Sequence, residues 1–104
     1  MSDFVLSPVA RGDLHEIWDY YATVVQNVAA ADRIRDELFR AFDALLEMPG
    51  MGHCRSDLTS EPLRFWRVRD YFIIYRAERT PLEIVRVLHG KRDVQAMLGD
   101  DVEG

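Results

Sequence analysis

The feature that most constrains the fold is residues 63–93, where three segments rich in β-branched and aromatic residues follow one another. The three segments are residues 63–69, 71–77 and 82–89. A short break at residues 69–70 separates the first two, and residues 78–81 separate the last two. The second break contains Pro81, which suits a turn and cannot donate to a strand ladder. This pattern predicts three consecutive antiparallel strands, a β-meander.

Two amphipathic helices are predicted before the meander. Ser7-Pro8 supplies a cap and then a proline at the first helical position, so a helix begins there. Asn27 breaks its period, and a second helix starts near Ala29 and stops at Met48-Pro49-Gly50. The apolar positions of the first are Leu14, Ile17, Trp18, Tyr21, Val25 and Val28, and those of the second are Ile34, Leu38, Phe42, Leu45 and Leu46. Their spacing of three and four puts each set on one stripe, and the short connection predicts an antiparallel helical hairpin.

The fold class that follows is α+β. We expect an N-terminal strand at residues 3–6, the helical hairpin packed on one face of the antiparallel meander, and a short C-terminal helix capped by Asp93. Residues 51–62 have neither a helical nor a strand period and are predicted to be an irregular loop. With 104 residues, the chain has room for one core, so residues 1–104 are expected to form a single domain.

Composition excludes several kinds of protein. The single cysteine, Cys54, has no partner for an internal disulfide, and the three scattered histidines have no ligand spacing for zinc. We therefore expect neither a metal nor a cofactor. The sequence has no apolar stretch long enough to cross a membrane and no basic, apolar leader, so we expect a soluble cytoplasmic protein without membrane contact.

Charge is distributed unevenly along the chain. The net charge is −5, yet residues 63–93 carry 7 arginines and 1 lysine against 4 acids. Residues 1–62, by contrast, carry 5 arginines and 11 acids. The overall charge argues against strong direct binding of nucleic acid, whereas the basic strands favour contact with a polyanion or an acidic partner.

Both faces of the predicted sheet are apolar. Strand alternation puts one set of side chains on one face, namely Phe72, Ile74, Val85 and Val87, and a second set on the other, namely Tyr71, Ile73, Tyr75, Ile84 and Leu88. A helical hairpin covers only one face. We expect the other face to bind a partner, the alternative being that the C-terminal helix and residues 51–62 fold over it.

Four segments of this sequence together resemble the RelE/ParE superfamily of bacterial toxins, and most closely its ParE branch of plasmid stabilisation proteins. They are Leu6-Ser7-Pro8 with the helix up to Tyr20, residues 30–52 with the Met48-Pro49-Gly50 stop, Leu63-Arg64 with the strand from Tyr71 to Arg76, and residues 85–93. The four occur in the family's order and cover nearly the whole chain. The resemblance implies a type II toxin neutralised by a small DNA-binding antitoxin of the ParD kind in a hetero-oligomer. Under this hypothesis the antitoxin contacts are the second set of side chains, Tyr71, Ile73, Tyr75, Ile84 and Leu88.

ParE-like members poison DNA gyrase by binding, so the resemblance implies an inhibitor without a catalytic group. The candidate contact surface for the target is the group of basic and aromatic residues Arg64, Trp66, Arg67, Arg69, Tyr75, Arg86, His89, Lys91 and Arg92. Arginine and tryptophan are typical anchors of protein interfaces.

Two alternatives remain open at this point. RelE-like members cut messenger RNA on the ribosome, for which the candidate catalytic residues here are His89, Arg64 and Arg86. Against this alternative, Phe72 stands where such members often carry an arginine, and the chain is acidic overall. The second alternative is a degenerate relative without toxicity, which only binds its partner.

Overall fold

The two helices of the predicted hairpin begin directly after Ser7, the predicted cap, and after Asn27, the predicted break. The computed structural model of the chain describes residues 3–92 and 94–102. The helices are α1, Pro8–Asp19, and α2, Val28–Glu47. The Ser7 hydroxyl accepts a hydrogen bond from the Ala10 amide, and the Asn27 side chain accepts one from the Ala30 amide, both at 3.0 Å. These bonds satisfy backbone donors that a helix start leaves open, and the predicted hairpin is confirmed.

A π-helical turn, Tyr20–Val24, continues α1 and changes which side chains are buried. The amide of Val25 donates to the carbonyl of Tyr20, five residues earlier, at 3.0 Å. This wide turn holds more residues than an α-helical turn, so it shifts the phase of the residues that follow it in the same helix. Val25 and Val28, which the sequence places on the buried stripe, are 46% and 53% exposed. That part of the predicted stripe is therefore wrong.

Five strands form one mixed sheet in the order β1-β5-β4-β3-β2. They are β1, Phe4–Leu6; β2, His53–Cys54; β3, Arg64–Val68; β4, Tyr71–Arg76; and β5, Leu82–His89. The antiparallel meander of β3, β4 and β5 is confirmed. The N-terminal strand pairs with β5 in parallel, and β2 pairs with β3 inside the loop that the sequence left irregular.

Both faces of the sheet are covered by the chain itself. The hairpin packs Ile34, Leu38 and Phe42 against the face that carries Ile73 and Ile84. The opposite face is covered by a third helix, α3, Val94–Val102, and by the loop before β3. The side chains that cover this face are Val94, Met97 and Leu98 from α3 and Leu58 from the loop. The expectation of an uncovered apolar face is therefore wrong, and the alternative cover by the C-terminal helix and the loop is what the structure has. Asp93, the predicted cap of that helix, lies outside the described residues.

A β-bulge in β5 moves part of the strand to the opposite face. Tyr75 pairs with Ile84 and Ile74 pairs with Arg86, so Val85 is an extra residue in the ladder. Beyond the bulge the alternation is inverted, and Val87 joins the hairpin face while Leu88 joins the α3 face. The prediction that Leu88 shares a face with the other antitoxin candidates is therefore wrong.

The five antitoxin candidates from the sequence are buried inside the chain. Ile73, Tyr75 and Ile84 are fully buried, and Tyr71 and Leu88 are at most 7% exposed. An antitoxin would reach them only if a covering helix moved. Across residues 3–92 and 94–102, no helix combines the length and the apolar character that spanning a membrane requires.

Candidate functional site

The turn between β3 and β4 lies beside the end of β5. The Gly90 amide donates to the Asp70 carbonyl at 2.7 Å, and Tyr71 pairs with His89 in the register of the sheet. This contact brings five of the predicted target-contact residues to one end of the sheet. They are Arg67, Arg69, His89, Lys91 and Arg92, and we call them the basic end.

Arg69 occupies the turn with a φ of 55°, which is uncommon for a residue other than glycine. Its guanidinium donates twice to the Glu37 carboxylate of α2, each bond 2.7 Å long. These bonds hold the pKa of Glu37 below its ordinary value. The Arg67 guanidinium donates to the Arg69 carbonyl at 2.8 Å. The hairpin thus fixes the position of this turn, while both arginines remain accessible to solvent.

His89 is positioned by its backbone neighbours and by Tyr71. Its Nδ1 accepts a hydrogen bond from the Lys91 amide at 3.1 Å, so the neutral ring carries its proton on Nε2. The ring meets the Tyr71 ring edge to face, with the centroids 5.3 Å apart. His89 therefore offers a donor at a fixed place beside an aromatic wall.

A cavity of about 300 Å³ opens next to His89, between α1, the π-helical turn and the ends of β4 and β5. We call it the tyrosine cavity; among its lining residues are Glu16, Tyr20, Tyr21, Tyr71, His89 and Arg92. Burial, together with a hydrogen bond to Tyr21, raises the pKa of Tyr71 above its ordinary value. Sequence reasoning missed Glu16, Tyr20 and Tyr21 as site residues. The π-helical turn places the two tyrosines at the cavity, and the spacing of apolar residues does not reveal such a turn.

Three other predicted contact residues are engaged inside the fold. The Tyr75 hydroxyl donates to the Pro49 carbonyl at 2.7 Å and accepts from the Gly52 amide at 2.9 Å. The Arg64 guanidinium donates to the Gly52 carbonyl at 2.8 Å. Trp66 is half-buried and packs at the border of the hairpin core. These residues do not belong to the basic end.

Arg86 is buried in an ion pair with Asp13 of α1. The guanidinium donates to both carboxylate oxygens, at 2.8 and 2.9 Å, and the Val87 amide donates to the same carboxylate at 3.0 Å. Of the three candidate catalytic residues from the sequence, only His89 therefore lies at the basic end. Arg64 lies near the other end of the sheet, opposite Tyr75.

A second cavity, of about 380 Å³, lies between the helices of the hairpin and β1. We call it the hairpin groove. Its apolar lining is Leu6, Leu14, Trp18 and Phe39, and its polar lining is Arg11, His15 and Arg35. Trp18 is fixed there by a hydrogen bond from its indole nitrogen to Asp32, 3.0 Å long. Val5 and Val9 are also largely exposed, and they belong to β1 and α1, the elements that border the groove.

In the part of the chain that the structure describes, no three histidine, cysteine or acidic side chains are grouped so as to hold a metal ion. The candidate sites are thus the basic end, the tyrosine cavity and the hairpin groove.

Comparison with known proteins places the chain in a family. A structure described as the chromosomal ParDE toxin–antitoxin system from P. aeruginosa matches with a TM-score of 0.71 and 18% sequence identity, covering 86% of this chain and 96% of that one. A search of curated proteins found no match. The sequence model of the ParE toxin of the type II toxin–antitoxin system parDE matches residues 4–94. Since that match spans most of the chain, this protein belongs to the ParE toxin family of type II toxin–antitoxin systems.

Proposed function

We propose that this protein is a toxin that inhibits DNA gyrase by binding, without a catalytic step, and that a cognate antitoxin neutralises it. The observation that carries the proposal is the family match over residues 4–94. The basic end supports it, because exposed guanidinium and ammonium groups at one end of the sheet suit a target that holds DNA. The engagement of Arg64 and Arg86 inside the fold supports binding over ribonuclease chemistry.

The first experiment follows the incorporation of labelled thymidine and methionine in the minutes after the chain is induced without an antitoxin. Thymidine incorporation is expected to fall first, since gyrase inhibition stops replication before translation. An earlier fall in methionine incorporation would reject gyrase and point to the ribosome. Normal growth throughout would instead support a relative that has lost its toxicity.

The second experiment tests the basic end with purified gyrase and supercoiled plasmid. The double variant Arg67→Glu, Lys91→Glu should need at least about tenfold more toxin for the same accumulation of cleaved DNA, because two cations at the contact become anions. The matched control is Arg33→Glu, Arg40→Glu, which makes the same charge change on the exposed surface of α2. Equal loss in both double variants would mean that net charge, and no particular surface, is responsible.

His89 separates binding from catalysis. The variant His89→Ala should keep most of the toxicity, because in this proposal the imidazole is one contact among several at the basic end and no proton transfer depends on it. Complete loss of toxicity with intact antitoxin binding would favour the ribonuclease alternative.

We further propose that the antitoxin occupies the hairpin groove with an acidic, amphipathic helix. The apolar floor of Leu14, Trp18 and Phe39 suits the apolar stripe of a helix, and Arg11 and Arg35 at the rim suit its acidic flank. The buried sheet faces offer no such surface, as both are covered by the chain itself.

The antitoxin site is tested by co-purification with the protein encoded by the adjoining gene. Phe39→Ala should weaken the complex about fivefold or more, as truncation of an aromatic anchor does. Arg11→Glu should also weaken it, whereas Arg33→Glu, outside the groove, should not. Unchanged affinity in both groove variants would place the antitoxin elsewhere.

A further inference from the structure

The tyrosine cavity is lined by aromatic rings and by several hydrogen-bonding and charged groups. We propose that it binds a nucleotide, with the base against the tyrosines and the phosphate at Lys91 and Arg92. This inference does not rest on the proposed inhibition of gyrase. It rests on the shape, the hydrogen-bonding groups and the charges of the cavity.

The aromatic walls suit a planar base. Tyr20, Tyr21, Tyr71 and His89 come from three separate elements and surround one space of about 300 Å³, which is about the size of a single nucleotide. Tyr20 is 51% exposed and stands edge to face with Tyr21, their centroids 5.2 Å apart. An exposed tyrosine beside an unfilled space offers a ring on which a base stacks. The π-helical turn brings the two tyrosines here, and such turns occur frequently at functional sites.

The cavity also carries groups that read the edge of a base. The His89 ring is fixed through Nδ1, which accepts a hydrogen bond from the Lys91 amide. Its Nε2 proton is therefore available to a ligand. The Tyr71 hydroxyl is hydrogen-bonded to Tyr21. Hydrogen-bonding groups of this kind recognise the edge of a heterocycle.

One cation lines the cavity and a second is its neighbour in the chain. Arg92 lines it, and Lys91 is the adjacent exposed residue. Among the described residues, the Arg92 guanidinium donates to the Met97 sulfur at 3.8 Å, and a thioether sulfur is a weak acceptor. Asp13 at the base is neutralised by Arg86, so it does not repel a phosphate. Glu16 is the remaining acid, and a carboxylate suits the hydroxyls of a ribose.

The test is a titration of the isotope-labelled full chain, followed by amide chemical shifts in NMR spectra. The ligands are adenosine monophosphate, adenosine, inorganic phosphate, a short single-stranded oligonucleotide and N-acetyltyrosinamide. Adenosine monophosphate should shift amides of residues 20–24, 71 and 89–92 at millimolar concentration, and adenosine should do so more weakly. If the oligonucleotide binds more tightly than adenosine monophosphate, the natural ligand is a nucleotide within a single strand. If it binds equally or more weakly, the natural ligand is the free nucleotide.

Three results would overturn the proposal. No shift with the nucleotide at millimolar concentration would reject the site. Equal shifts with inorganic phosphate would reduce it to an anion contact. Shifts with N-acetyltyrosinamide and none with the nucleotide would assign the cavity to a side chain of a protein partner.

Variants separate the two halves of the ligand. Tyr20→Ala should weaken the nucleotide about tenfold, while Tyr20→Phe should retain it, because stacking uses the ring. Arg92→Glu should weaken the nucleotide about tenfold and leave adenosine unchanged, because only the phosphate meets this cation. Arg40→Glu, which lies on α2 outside the cavity, is the control and should change neither. If Arg92→Glu binds adenosine monophosphate as tightly as the original chain does, the proposed phosphate contact is wrong.

Discussion

At the scale of single residues, Asp13 joins α1 to β5. Its carboxylate accepts two bonds from Arg86 and one from the Val87 amide, and the side chains of the pair are only 7% and 8% exposed. We predict that Asp13→Ala lowers the free energy of unfolding by about 3–5 kcal/mol, since it removes one partner of a buried ion pair. Urea denaturation measures the change.

The control for that prediction is another bidentate pair that links α2 to the sheet, between Glu37 and Arg69. It lies at the surface, where solvent screens the charges, so Glu37→Ala should cost far less than Asp13→Ala. Similar losses in the two variants would mean that burial of the Asp13 pair does not decide its contribution.

Gly52 occupies a position that has no room for a side chain. A Cβ there would lie 2.5 Å from the Tyr75 hydroxyl, which accepts a hydrogen bond from the Gly52 amide. We predict that Gly52→Ala destabilises the protein by about 1–3 kcal/mol, because the buried tyrosine must shift. A Cβ at Gly12 in α1 would meet nothing within 4 Å, so Gly12→Ala should instead stabilise by about 0.5–1 kcal/mol. Thermal unfolding followed by circular dichroism compares the two, and the same sign in both would contradict the argument.

At the scale of elements, α3 is the cover of one sheet face. Val94 and Leu98 are buried against Phe65, Ile74 and Leu88. We predict that a chain ending after Arg92 self-associates, because that apolar face becomes exposed. Size-exclusion chromatography over a range of concentrations measures this.

The matched control for the truncation is a chain that ends after Leu98. It keeps the apolar contacts of α3, so it should elute as the full chain does. If the chain that ends after Arg92 stayed monomeric at high concentration, the loop before β3 would cover the sheet face sufficiently without α3.

The sequence predicted those elements whose signals are local. Helix caps and strand composition lie within a few residues of the boundary they set, and the start of α1 and both bounds of β5 follow from them. The π-helical turn and the bulge at Val85 each add a residue to a periodic element, and no residue type marks either insertion. The first accounts for the wrong burial of Val25, and the second for the wrong face of Leu88.

The same distinction applies to the sites. The residues of the basic end were all among the predicted contact residues, and Arg69, Lys91 and Arg92 lie in turns that the sequence marks clearly. The burial of Arg86 was not predictable, since it depends on Asp13, which is 73 residues away. Cover by α3 was only one of two alternatives, because helix period does not tell which face a short terminal helix meets.

At the scale of the whole molecule, two buried tyrosines make the stability depend on pH in the alkaline range. Burial raises the pKa of both Tyr71 and Tyr75 above the ordinary value of 10.0. Above about pH 10 the unfolded chain therefore loses these protons while the folded chain keeps them, and the free energy of unfolding falls as the pH rises. Below that pH both states are protonated, so no dependence from these groups is expected.

Urea midpoints measured from neutral pH to above the ordinary tyrosine range test this prediction. Tyr71→Phe should show a shallower alkaline decline than the original chain, and Tyr20→Phe, at an exposed ring, should show the same decline as the original. An unchanged slope in Tyr71→Phe would assign the effect to other groups.

The two edges of the sheet are unusually short. β1 contributes three residues and β2 contributes two, and where β1 ends, the Ser7 hydroxyl and the Asp13 carboxylate of the hairpin bond to Val85 and Val87 of β5. Little backbone is therefore left on which a further chain could add as a strand. Growth of copies of this chain into fibrils by edge-to-edge pairing therefore has only these short strands from which to start.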